Sequence, residues 1–538
     1  MADLPKVFAG ISQTIHKDAL SFPGASPESK RLVERLLEED REAHHCLYGL
    51  GFHNHLSHHL LAAYDLGAPP ALLQAIFDAE QRELLDVHTD DIKKQTIHVQ
   101  DVKIDERNWT QFLGQDKYYA NLATFFTHEV KRLGGKEAYE HYVFSSQANR
   151  DGAHMLERFV AGAYYALEFN SDAMIAQALA QTAVHEPFQP DLFPWNSPED
   201  TPSTHPQPAP SNGHTPSPSP SPRGVPILSL LRQMYDSDTL EPVLPYDPTA
   251  LLSKRRRDAL TPARTASIRR LAASWSYFPD LTPAELAARA EELLFVATLL
   301  FAGTGKPGRT PRLDFFLMHM LTSAHFVPAL AEPLRAPAAR AQLLTAHLAV
   351  VLAYVLLRGR PRVDCALLMG YTDVPLPPSR RASVNGAGAG EGERDGGGDG
   401  EGDADADADG QGKGRRANTT PTPGALGDPA HPSHTNPWPA LLAHVLPARD
   451  AHTVKALRAL YAGAQRYACV PAGAVIGAVD REGRETHVGA RALDGSVFVR
   501  AAGVLVDRMG WVGVGEGGEE GAWDRSGLGW EGAWEGGE

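Results

Sequence analysis

The sequence predicts an all-α fold: one large multi-helix body interrupted by two disordered low-complexity insertions. Three observations carry this expectation. Apolar residues recur at 3–4 spacing through most of the chain, alternation of the strand type is almost absent, and two stretches have compositions that cannot bury enough apolar area to order themselves. The expected organisation is an N-terminal helical part (1–185), a Pro/Ser-rich linker (186–224), a central helical part (225–375), a Gly/Asp-rich insertion (376–437), and a C-terminal helical part ending in an acidic Gly/Trp-rich tail (438–538).

The first helix follows Pro27, where Leu32, Val33, Leu36 and Leu37 repeat at helical spacing. A second runs from the histidine-rich stretch Phe52–Leu61 to Leu66 and stops at Gly67, and Pro69-Pro70 opens a third through Ala79. Asn108 to Gly114 predicts a short helix, and Tyr118 to Leu133 a longer one ended by Gly134-Gly135. Met155 to Leu179 reads as helix with a break at Asn170-Ser171-Asp172, where Asn170 or Ser171 caps the next segment. Helical patterns resume from Ile227 through Leu357. The most apolar segment, Leu343–Leu357, is shorter than the roughly 20 residues that span a bilayer and reads as a buried helix.

A chain of 538 residues can bury a sizeable core. Its net charge of −15 is unevenly placed: residues 391–410 carry −8 and residues 511–538 carry −6, leaving the body near neutral. Neither nucleic acid nor an anionic membrane is suggested as partner. Cys46, Cys365 and Cys469 form no CxxC and no disulfide framework. The first residues lack a basic segment followed by an apolar run, so a cytoplasmic location is expected. The sequence carries no signal for an oligomeric state.

Histidines supply the candidate chemistry. His55, His58 and His59 stand at i, i+3 and i+4, one face of a helix, and neutral imidazole ligates zinc, iron and copper. His53 points to another face. His319 lies within the apolar helix Phe315–Ser323, where it either hydrogen-bonds a core partner or binds a metal. His452 and Lys455 are three apart on one helical face; such a face is usually solvated, but a lysine in apolar surroundings has a depressed pKa, and its neutral amine can take up CO2 as a ligating carbamate. Gly303–Gly308 has the letters GxGxxG, but the run before it is equally good helix and Pro307 and Pro311 sit where a helix should open, so it reads as a turn. Lys254–Arg257 reads as a solvated basic turn.

Together, the segment Gly51–Ala68 with its Asn54-His55 core, Asp314–Ser323, Arg358-Gly359-Arg360-Pro361, Asp450–Leu457, and Gly495–Ala502 through Gly510-Trp511 resemble the questin oxidase-like family. The resemblance implies oxidative ring opening of an anthraquinone-type aromatic polyketide with O2. Members are often described as NADPH-dependent Baeyer–Villiger-type oxygenases, and at least one is understood as a non-haem iron dioxygenase whose histidines are joined by a carboxylated lysine. Carried over, it makes His55, His319 and His452 metal ligands and Lys455 the carbamate ligand. Family members also place a His-Pro turn after the equivalent of Arg158–Ala163; here Ala163 joins Tyr164 directly. His154, His58 or His59 then substitutes for that histidine, or the site is inactive. Three readings follow: an iron-dependent oxygenase, an NADPH-dependent Baeyer–Villiger-type monooxygenase without metal, and an inactive helical binding protein.

Overall fold

The computed structural model describes residues 6–49, 51–158, 164–193, 224–275, 281–378, 426, 434–518 and 522–535. Among them the fold is all-α with two minimal hairpins, as the periodicity predicts. In the N-terminal part, α1 (Pro27–Ala43) is followed by the hairpin β1 (Leu47–Tyr48) and β2 (Phe52–His53), then α2 (Leu56–Asp65) and α3 (Pro70–Glu80). A second hairpin, β3 (Thr89–Asp91) and β4 (Thr96–Ile97), precedes α4 (Tyr119–Leu133), α5 (Gly135–Glu140), α6 (Met155–Arg158), α7 (Tyr164–Glu168) and α8 (Asp172–Val184). The central part holds α9 (Ile227–Tyr235), α10 (Leu252–Ala259), α11 (Pro262–Trp275), α12 (Pro283–Ala302), α13 (Phe315–Ala331), α14 (Pro337–Leu357) and α15 (Cys365–Met369). The C-terminal part adds α16 (Trp438–Val445), α17 (Ala451–Tyr467) and α18 (Val497–Met509).

Side-chain caps fix where these helices start. Ser26 and Ser29 cap α1 reciprocally, Thr282 and Glu285 do so for α12, and Ser171, one of the two expected caps, accepts from Met174 N at α8. Asp314 accepts from the Phe316 and Leu317 amides to open α13, and Asp450 accepts from the His452 and Thr453 amides to open α17. The two aspartates therefore set the register that places His319 and His452.

Helix α17 lies at the centre of the site region. It packs against α2, α13, α16 and α18, while α13 also packs on α7, α12 and α14. One large apolar cluster runs through all three parts, from Val33 and Leu60 to Leu317, Leu457 and Phe498. Neither low-complexity stretch divides this core, although most of both lies outside the described residues.

Four local expectations are corrected. Residues 186–193, grouped with the linker by composition, are part of the body: Phe188, Leu192 and Phe193 are buried, enough apolar area to hold the segment down. Asn108–Gly114 forms a single 3-10 turn, Trp109–Phe112. Helix α14 is 21 residues long, because Pro337 opens it well before the apolar run; by length and composition it could cross a membrane, and here it packs against α10, α11 and α13. Lys254–Arg257 is helical, and Arg255 is buried, donating to the carbonyls of Asp247 (2.7 Å) and Ser526 (2.6 Å).

The last of these anchors a C-terminal strap, residues 522–535, laid across the body. Gly529 N donates to Arg358 O at 3.0 Å, Trp530 Nε1 donates to Val243 O at 3.0 Å, and the Arg255 guanidinium faces the Trp530 ring. Gly359 has a φ of 83°, and a Cβ there would enter the Trp530 ring. Gly359→Ala is therefore expected to cost about 2 kcal/mol or more, from backbone strain and overpacking together, measured by urea unfolding.

Candidate metal centre

Asn54 fixes the approach to α2. Its backbone N–H donates to Cys46 O at 2.9 Å, its amide nitrogen to Asp40 Oδ1 at 2.8 Å, and its side-chain oxygen accepts from Leu56 N at 2.9 Å. His55, the next residue, occupies the N-cap position of α2 without capping it, so its imidazole is released toward α13 and α17. There it meets His452 with ring centroids 4.8 Å apart, and His452 meets His319 at 5.2 Å. One ligand nitrogen from each of His55, His319 and His452 can be chosen such that all lie within 4.8 Å of one another.

The tautomers follow from the hydrogen bonds. His319 Nδ1 donates to Phe315 O at 2.8 Å and His452 Nδ1 donates to Asp450 Oδ1 at 2.8 Å, which leaves each Nε2 as a bare acceptor. His452 Nε2 is buried with no hydrogen-bond partner. An imidazole whose second nitrogen is held by a carbonyl or carboxylate is the usual arrangement of a metal-ligating histidine. Metal–imidazole bonds of about 2.0–2.1 Å, the zinc value, place opposite ligand atoms about 4.2 Å apart at most, so closure needs a shift of about half an ångström. The three residues fit a divalent metal.

Electrostatics favour the ligating forms. Burial, then the neighbouring Lys455 and histidines, push His55 well below the ordinary imidazole value; burial, then His452 and Lys455, do the same to His319. His452 falls to about 4, because burial and Lys455 outweigh Asp450. Lys455 is only 6% exposed, and burial lowers its amine to about 8 against the pull of Asp450 and Glu80. The His452–Lys455 face is thus buried, unlike the solvated face that spacing alone would suggest. Asp450 is held well below the carboxylate range: burial would raise it, but hydrogen bonds from His452, Trp523 and Thr453 prevail.

The other histidines take different places. His58 stacks on Tyr165 at 5.0 Å and stands edge-on to His55. His59 Nδ1 pairs with Glu80, and His154 Nδ1 lies 3.6 Å from Glu157. His53 falls on β2 rather than on the helix and shares a short Nε2–Nε2 contact with His185. Residues 159–163, up to the junction with Tyr164, lie outside the described residues. Gly303–Gly308 is a loop that follows the helix α12 and leads by an extended segment to α13, with no strand before it.

Sequence reasoning missed Asp450 and Trp523. The signal for Asp450 was present: an aspartate that caps a helix at N-cap stands two residues before His452, within reach of its ring. Trp523 had none, because its contact spans 73 residues.

The sequence model described as questin oxidase-like matches residues 52–460. A protein named Baeyer-Villiger oxidase from Paecilomyces divaricatus is 26% identical over 61% of this chain and 67% of its own length. An oxidoreductase of Aspergillus parasiticus is 28% identical over 52% of each chain, and the questin oxidase of Aspergillus fumigatus is 26% identical over 58% of this chain and 66% of its own. The chain thus matches about half to two thirds of the length of these relatives.

Proposed function

The chain belongs to the questin oxidase-like family, and from this premise we propose that it is an oxygenase acting on an aromatic polyketide of the anthraquinone type, at a metal held by His55, His319, His452 and Lys455. The observation that carries the proposal is the meeting of three neutral imidazoles, His55 at the N-cap of α2, His319 on α13 and His452 on α17, beside a buried lysine of lowered pKa.

The metal is proposed to be non-haem iron, which when bound supplies Lewis acidity and redox chemistry with O2. The rest is the work of the chain. Asp450 and the Phe315 carbonyl hold the His452 and His319 tautomers so that each Nε2 keeps a free lone pair for the metal. The Lys455 amine, neutral in a substantial fraction near pH 8, can add CO2 and lose a proton to give a carbamate that offers oxygen ligands. The Phe315 ring, 4.8 Å from His319 and 4.9 Å from His452, walls the centre with apolar surface and limits water.

A second reading joins the name Baeyer-Villiger oxidase borne by a relative to the cofactor that the family resemblance implies: an NADPH-dependent monooxygenase without metal. Oxygen uptake with an anthraquinone substrate separates the two. The iron reading predicts uptake that needs ferrous iron and is unchanged by NADPH. Uptake that needs NADPH and survives chelation would replace it with the second reading, and substrate binding with no uptake would identify a binding protein.

A further inference from the structure

The C-terminal strap lies beyond the segment that matches the family, which ends at residue 460, yet it touches the starts of both helices that deliver site histidines. At α13 it forms a two-bond bridge: Asp524 N donates to Leu313 O at 2.8 Å and Phe315 N donates to Asp524 O at 2.9 Å. Arg312 Nε donates to Asp524 Oδ2 at 2.9 Å and secures the same point. At α17, Trp523 Nε1 donates to Asp450 Oδ2 at 2.6 Å. The other oxygen of that carboxylate accepts from His452 Nδ1. Residues 523 and 524, adjacent in sequence, thus tie the first turn of α13, which carries His319, to the cap of α17, which orients His452.

We propose that Trp523 is a positioning residue for the metal centre, and that the strap fixes the spacing and orientation of His319 and His452 through Asp524 and through the Trp523–Asp450–His452 chain. This rests on the reading of His55, His319 and His452 as a metal site. The physical reason is where a capping carboxylate finds its donors. Asp450 takes its other donors, the His452 and Thr453 amides, the Thr453 hydroxyl and the His452 ring, from α17 itself, and the indole N–H is the donor that ties this carboxylate to a segment outside that helix. Without it the carboxylate keeps its donors within α17 but loses its tie to the strap, so the cap of α17, and with it the His452 imidazole, is no longer held in place relative to the start of α13 before any metal arrives. Partners of this kind change metal affinity by about 10–100-fold.

The strap contains an internal control. Trp530 is buried as deeply as Trp523 and its indole also donates one hydrogen bond, but to Val243 O, on the α9–α10 connection. Titration of the purified full chain with cobalt(II), followed by absorbance, is to be compared for wild type, Trp523→Phe and Trp530→Phe, with urea unfolding of each. The expected result is about tenfold weaker cobalt binding in Trp523→Phe, binding within twofold of wild type in Trp530→Phe, and similar losses of stability in both. Equal affinity in Trp523→Phe and wild type overturns the proposal, as does equal weakening by the two variants, which would make the strap merely structural. Should Trp523→Phe not fold, Arg312→Met loosens the strap at Asp524, and an unchanged cobalt affinity there overturns the proposal. A wild type that binds no cobalt overturns the metal reading itself, and this one with it.

Discussion

Replacing Arg458 with Met is expected to lower folding stability by about 3 kcal/mol, the low end of the cost of stripping one partner from a buried ion cluster. Arg458 is only 1% exposed and stands one helical turn beyond Lys455. Its Nε donates to Asp65 Oδ2 at 2.7 Å and its Nη2 to Glu168 Oε1 at 2.5 Å, tying α17 to α2 and α7. The guanidinium lies among the rings of Tyr165, Phe169 and Phe326. Lys17, 2.6 Å from Asp65 and 3.0 Å from Glu168, remains in the variant and keeps the cost from the upper end.

The same cluster sets a pH signature. Burial would raise both carboxylates, but Arg458 and Lys17 overcome it at Asp65 and Arg458, His325 and Lys17 at Glu168, holding Asp65 below its usual value and Glu168 well below its own. Depressed carboxylates contribute stability that is complete above their unfolded values of 3.8 and 4.5 and is lost as pH falls toward the folded ones. Wild type should therefore lose stability steeply below about pH 4.5, and Arg458→Met less steeply. Urea unfolding between pH 7 and pH 3 measures both effects. A change below about 1 kcal/mol at pH 7 would place the cluster among ion pairs that contribute little.

The second large effect concerns the ligands. His319→Ala and His452→Ala are each expected to weaken ferrous iron or cobalt binding by more than the roughly 100-fold upper end for a lost orienting partner. His58→Phe, which keeps a ring against Tyr165, should bind within about threefold of wild type, because the cluster of ligand atoms comprises His55, His319 and His452 without His58. Isothermal titration under anaerobic conditions reads these differences. Loss of binding in His58→Phe equal to that in His452→Ala would add His58 to the ligands.

The helical body was legible because its signals are local: apolar spacing, Ser and Asp caps, and glycines at helix ends such as Gly134, with a φ of 90°. His319 and His452 could be singled out because each sits in an apolar or capped helix where an imidazole needs a partner. What was not legible is nonlocal. Spacing placed His55, His58 and His59 on one helical face, but the chain turns helical only at Leu56, which separates His55 from the other two. The acidic Gly/Trp-rich composition of the tail hides three tryptophans, Trp523, Trp530 and Trp534, each buried with its indole N–H bonded to the body or the strap. Basic residues 254–257 read as a surface turn because the carbonyl of Ser526, which Arg255 serves, is 271 residues away.

Metal content of the purified chain, after incubation with ferrous iron and bicarbonate and removal of excess, tests the centre most directly. The expected result at about pH 8 is close to one iron per chain in wild type, falling below about a tenth in His452→Ala, since the three imidazoles are already neutral and bind without a proton penalty. Less than about a tenth of an equivalent in the folded wild type would contradict a metal centre at His55, His319, His452 and Lys455.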